Sequence, residues 1–156
     1  MKIAILSDSH DDISIVTKVA KSIGDNPVDF LLHAGDITTA RTAQSFASIK
    51  NTSLIAVMGN CDFDAQGIKF AIENQGGTVF SNKYQGSLGD KSVFMTHKPL
   101  PIDSILDLNN YDLIVFGHTH KSQIDRLNGT LIVNPGGSSL VYVNLDDMNV
   151  EAVEYF

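Results

Sequence analysis

Cysteine is almost missing from this chain: Cys61 stands alone among 156 residues, so no internal disulfide can staple it. Long apolar runs are missing too. Ile3-Ala4-Ile5-Leu6 is interrupted by Ser7-Asp8, too short for a signal-peptide core, and no later run approaches the length of a membrane span. Basic residues are few, 11 against 18 acidic, and the formal net charge of −7 argues against generic binding to nucleic-acid backbone or an anionic membrane. There is no internal repeat, low-complexity stretch or compositional break to mark a linker. These absences leave a single domain over residues 1–156, long enough to bury a substantial core. A cytoplasmic location is the default expectation, and a homo-oligomer is compatible with the sequence.

What is present is a series of short apolar runs, each ending in a polar cluster. Residues 2–7 read as a buried first strand, and residues 13–23 carry apolar side chains with helical spacing. Residues 28–33 follow as a second strand, and the order strand, helix, strand predicts a right-handed crossover and a parallel pair. A helix over 38–49, a strand over 54–58 and a helix over 67–74 continue the alternation. Strands near 78–80, 84–88 and 91–96 read as an antiparallel extension, and residues 102–108 as a short helix. After a strand at 112–116, strands near 121–127, 130–134, 139–145 and 149–155 read as an antiparallel meander, with Asn128-Gly129 as a strong hairpin signal. The whole predicts an α/β fold of two facing sheets with helices outside.

Five of the strand ends carry groups able to bind metal. They are Asp8 with His10, Asp36, Asn60 with Asp62, His97, and His118 with His120. Each has a plain structural alternative: Asp11 or Asp12 caps the helix that follows, Asp36 can cap a helix in place of Thr38 or Thr39, and His97 can be an ordinary hydrogen-bonded residue. In an extended segment the side chains of His118 and His120 leave the same face, so both rings can enter one cavity, with Gly117 allowing a sharp turn before them. Oxygen and imidazole donors without thiolates suit manganese, iron or zinc. Two carboxylates (Asp8, Asp36), the Asn60 amide and four imidazoles make seven groups, too many for one ion and suited to two if a carboxylate bridges. Two divalent cations against Asp8 and Asp36 would make a net positive site that attracts an anion such as phosphate.

In order and over nearly the whole chain, Asp8-x-His10, Gly35-Asp36, Gly59-Asn60-x-Asp62, His97 and Gly117-His118-x-His120 resemble the calcineurin-like metallophosphoesterase superfamily. The size and the Asn134-Pro135-Gly136 segment resemble its small bacterial and archaeal phosphodiesterase branch. The resemblance implies a four-layer α-β-β-α sandwich of two mixed sheets flanked by helices. It implies that Asp8, His10, Asp36 and His120 hold one divalent metal, and that Asn60, His97 and His118 hold a second, with Asp36 bridging. Mn²⁺ is the expected ion, with Ni²⁺, Zn²⁺ or Fe²⁺ as alternatives. A water between the metals would attack a small phosphodiester substrate.

Two departures from that family bear on the chemistry. Many relatives have histidine at the position of Cys61, where it is assigned to the leaving group or to phosphate, and cysteine is a poor substitute acid. Asp62 is a candidate to assist departure or simply to orient Asn60. Lys98-Pro99 replaces the usual continuation after His97, leaving Lys98 either as a point charge for substrate phosphate or as an exposed residue. The expected activity is therefore hydrolysis of phosphodiesters with good leaving groups, weak on monoesters. The competing expectations are a phosphomonoesterase or protein phosphatase, and a non-catalytic scaffold of the retromer-subunit kind.

Overall fold

The computed structural model describes residues 1–101 and 111–154. Residues Lys2–Leu6 form β1, Phe30–His33 form β2, Ser53–Val57 form β3 and Thr78–Phe80 form β4. These four strands run parallel and are joined through the helices α1 (Ile13–Asp25), α2 (Ala40–Ala47) and α3 (Ala65–Glu73). Strands β10 (Ser139–Asn144) and β11 (Asn149–Glu154) add antiparallel beside β1, giving a six-stranded sheet in the order β11-β10-β1-β2-β3-β4. The second sheet has five strands, β5 (Lys83–Leu88), β6 (Lys91–Thr96), β7 (Leu113–Val115), β8 (Gln123–Leu127) and β9 (Thr130–Asn134), in the order β5-β6-β7-β9-β8.

The period-two alternation of side chains divides the core into two layers. On β1, Ala4 and Leu6 face the helices and pack with Val19, Ile23, Phe46 and Ile68. Ile3 and Ile5 face the other way, between the sheets, against Val93, Met95, Val115 and Val133. A strand buried on both faces has few polar positions, which is why β1, β3 and β2 as far as His33 read as near-continuous apolar runs. The described helices cover the first sheet, and the helix expected over 102–108 lies outside the described residues. Among the described residues, no helix is long and apolar enough to cross a membrane.

Two local expectations are corrected. Strand β4 pairs parallel with β3 and closes the first sheet rather than beginning an antiparallel extension. The C-terminal strands do not form one meander. The hairpin β8-β9 sits in the second sheet, where β9 runs parallel to β7, while β10 and β11 return to the first. Strand periodicity carries no information about which sheet receives a strand, because both sheets bury one common layer. The expectation that Asp11 or Asp12 caps α1 is met by Asp12, whose carboxylate accepts from the Ser14 N–H, while Asp11 accepts from the hydroxyls of Thr39, the cap of α2, and Thr42 within it. As expected, Asn128 and Gly129 both have positive φ, the geometry that matches the twist of a two-residue hairpin.

Candidate metal centre

All five clusters follow parallel strands and meet at one edge, because β1, β2 and β3 in one sheet and β6 and β7 in the other end at the same side of the sandwich. Left-handed backbone is unusual for residues with a Cβ, yet Asp8, His10, Asp36, His118 and His120 all adopt it, with φ between 47° and 67°. This corrects the extended geometry expected for His118 and His120. The two rings diverge: His118 Nδ1 lies 3.3 Å from His97 Nε2, while His120 Nε2 lies 3.5 Å from Asp8 Oδ1 and its ring stacks on His10 at 5.5 Å.

Gly117 lies outside the left-handed region, so its part is close approach rather than a turn. A Cβ there would come within 2.7 Å of Asp8 Oδ2. The same holds at the other two motif glycines. A Cβ on Gly59 would sit 2.1 Å from Asp36 Oδ1, and one on Gly35 would sit 2.6 Å from His97 Nδ1. Each glycine therefore makes room for a side chain from a neighbouring cluster.

At one end of the site three atoms able to ligate a metal face one another. The His97 Nδ1–H donates to the Ala34 carbonyl at 2.8 Å, which in the neutral ring turns the Nε2 lone pair toward Asn60 Oδ1 at 2.9 Å and Asp36 Oδ2 at 3.4 Å. His118 Nδ1 is 3.0 Å from the same Asn60 oxygen, while the Asn60 amide nitrogen is turned to Cys61 Sγ. At the other end, donor atoms of Asp8, His10 and His120 lie within 4.8 Å of one another. Asp36 belongs to two further such groups, one with His10 and Cys61 and one with Asp8 and His97. Asp8 and Asp36 are buried, and among the described residues their ion-pair partners are histidines, with no lysine or arginine. Two buried carboxylates beside converging lone pairs are a donor set that fits divalent cations.

Behind these donors lies support that sequence reasoning assigned only in part. The Asp62 carboxylate accepts backbone N–H groups from Asp36 at 3.0 Å, Thr38 at 2.6 Å and Gly59 at 2.7 Å, binding the second and third clusters together. The Asp36 Oδ1 accepts from the Cys61 N–H at 2.8 Å. Burial, and then the Asp36 carboxylate beside it, push the Cys61 thiol up.

His33 was missed altogether. It is fully buried, and its Nδ1 accepts from the Gly35 N–H at 3.2 Å while its Nε2 meets Ser9 Oγ at 2.8 Å. Burial, and then the neighbouring His97, hold its pKa down at about 3. The ring is thus neutral, and the Nε2–H donates to Ser9. A histidine closing an apolar strand just before Gly35-Asp36 was the available signal. Asn134 plays a similar part, donating to the Gly117 carbonyl and to Thr119 Oγ1.

Comparison with known proteins bears on family and fold. The model of the calcineurin-like phosphoesterase superfamily domain matches residues 1–144. Phosphodiesterase MJ0936 of Methanocaldococcus jannaschii is 26% identical over 139 residues, covering 87% of this chain and 83% of that protein. Phosphodiesterase YfcE of Escherichia coli K12 is 25% identical over 156 residues, covering 90% and 80%. Among solved structures, an archaeal phosphodiesterase superposes with a TM-score of 0.90 at 22% identity over 99% of both chains. Zinc-complexed Vps29 of Entamoeba histolytica superposes with a TM-score of 0.70 at 14% identity over the full length of both. The last two likenesses concern the fold, whereas the domain match covers all five clusters and places the protein among phosphoric ester hydrolases. The chain belongs to the calcineurin-like phosphoesterase superfamily.

Proposed function

We propose that the protein is a binuclear metal-dependent phosphodiesterase, weak on monoesters, acting on a small phosphodiester in the cytoplasm. The observation that carries this reading is the meeting of Asn60 Oδ1, His97 Nε2 and His118 Nδ1 within 3.3 Å of one another, with Asp36 Oδ2 3.4 Å from His97. Such a convergence of acceptor-capable atoms is held together by a ring proton or by a cation, and with two buried carboxylates beside it a cation satisfies more of the donors. Asp8, His10, Asp36 and His120 would hold one ion and Asn60, His97 and His118 the other, with Asp36 bridging. Two ions, Mn²⁺ by preference, would supply Lewis acidity toward phosphoryl oxygens and an activated bridging water.

The protein's own residues then account for the restriction to good leaving groups. Of the five histidines, four would be metal ligands in this reading, and His33 has both ring nitrogens engaged by Gly35 and Ser9. No imidazole remains to give a proton to a departing alkoxide. Asp62 is taken up by three backbone N–H groups, which supports a positioning role rather than proton transfer. Cys61 stands beside Asn60, and a thiol is a weaker acid than imidazolium.

The test compares bis(p-nitrophenyl) phosphate with p-nitrophenyl phosphate, using metal-stripped protein with and without Mn²⁺. Metal-dependent diester cleavage exceeding monoester cleavage is expected, and Cys61→His should raise turnover of alkyl esters while aryl diesters change little. An unchanged alkyl rate in that variant would sink the leaving-group explanation. No turnover with any divalent ion, despite bound metal, would favour the scaffold reading, which rests on likeness of fold to Vps29.

A further inference from the structure

Beside the Asn60 and His97 end of the site opens a cavity of about 370 Å³, a size suited to a small ligand group. Its remaining polar walls come from Ser81 and Asn82, which link the two sheets between β4 and β5, and from Thr96 and Lys98 at the end of β6. Lys98 lines the cavity itself, and Lys83 is the Cα partner of Thr96 across the antiparallel pair β5-β6, so its side chain leaves the same face as the lining residue Thr96. Lys83 and Lys98 are both exposed, and among the described residues neither makes a hydrogen bond or an ion pair. Among the described residues no carboxylate lines the cavity, although acidic residues outnumber basic ones 18 to 11 in the chain. Two unpaired ammonium groups next to amide and hydroxyl groups recognise a phosphate as point charges with adaptable donors.

We propose that this cavity is a subsite for a second anionic group, so that the preferred substrate is a phosphodiester carrying a terminal phosphate on one of its ester arms. The inference rests on the phosphodiesterase reading of the adjoining metal centre. A diester phosphoryl at the metals and a terminal phosphate beside Lys83 and Lys98 would each meet positive charge, and a neutral arm would leave the lysines unused.

Binding rather than turnover provides the test. Mn²⁺-loaded protein is titrated calorimetrically with propyl phosphate and with propane-1,3-diol bisphosphate. The bisphosphate should bind at least about tenfold more tightly to the natural protein, the size of one good charge-assisted contact. That advantage should fall below about threefold in the double variant Lys83→Ala, Lys98→Ala and persist in Lys83→Arg, Lys98→Arg. Equal affinity for the two probes, or an advantage that survives loss of both lysines, would overturn the subsite. Both lysines are exposed, so unfolding midpoints should stay the same in all variants. Failure to hydrolyse bis(p-nitrophenyl) phosphate would sink the phosphodiesterase reading separately, since the binding result does not depend on turnover.

Discussion

His33 shows how a single side chain holds two clusters in place. It joins Ser9, between Asp8 and His10, to Gly35, just before Asp36, and does so as a neutral ring. Its pKa in the fold is about 3 against an ordinary 6.5. Between those values the unfolded chain takes up a proton that the folded chain refuses, so stability is fully present above about pH 6.5 and is lost as pH falls toward 3. The slope from this one group approaches about 1.4 kcal/mol per pH unit. Urea midpoints measured from pH 7 to pH 5 should therefore fall more steeply for the natural protein than for His33→Gln. Parallel slopes would remove His33 from this role. Its place just before Gly35-Asp36 marked the ring in the sequence, but its role was not legible there, because a histidine at the end of an apolar strand looks the same whether it faces metal, core or solvent.

At the scale of elements, the loops after β2 and β3 are held together by Asp62. A carboxylate accepting three backbone N–H groups leaves all three unsatisfied when it is removed, and Asp36 N–H and Gly59 N–H lie at the centre of the site. Asp62→Ala should cost at least about 2 kcal/mol in unfolding free energy and reduce bound metal in the same preparation. Unchanged stability with full metal content would show that the loops hold without it. The Gly59-Asn60-x-Asp62 motif was visible in the sequence, but the direction in which Asp62 points was not, since it depends on where the loop after β2 lies. The hairpin at Asn128-Gly129 was legible because its turn is a local property of two residues. The placement of β4 in the first sheet was not, because it depends on the crossover through α3.

For the molecule as a whole, folding brings two carboxylates into a buried edge where histidines are their described ion-pair partners. Cations that bind only the folded chain raise its stability by mass action, about 2.7 kcal/mol at a hundredfold excess over the dissociation constant. Adding Mn²⁺ to stripped protein should raise the unfolding midpoint, and a chelator should reverse it. The double variant Asp8→Asn, Asp36→Asn should show little response to either. A natural protein that is equally insensitive to metal would count against a cation at this edge.

The sequence by itself determined the alternation of strands and helices, the positions of the five donor clusters and the family to which they belong. It could do so because apolar periodicity and donor chemistry are properties of neighbouring residues. Tertiary structure alone decided that His118 and His120 diverge toward opposite ends of the site, that His33 and Asp62 bind the clusters from behind, and that Lys83 pairs across from Thr96 beside the cavity that Lys98 lines. Those facts follow from left-handed backbone at the loops and from the pairing of distant strands, and both arise only when two sheets close on a common core.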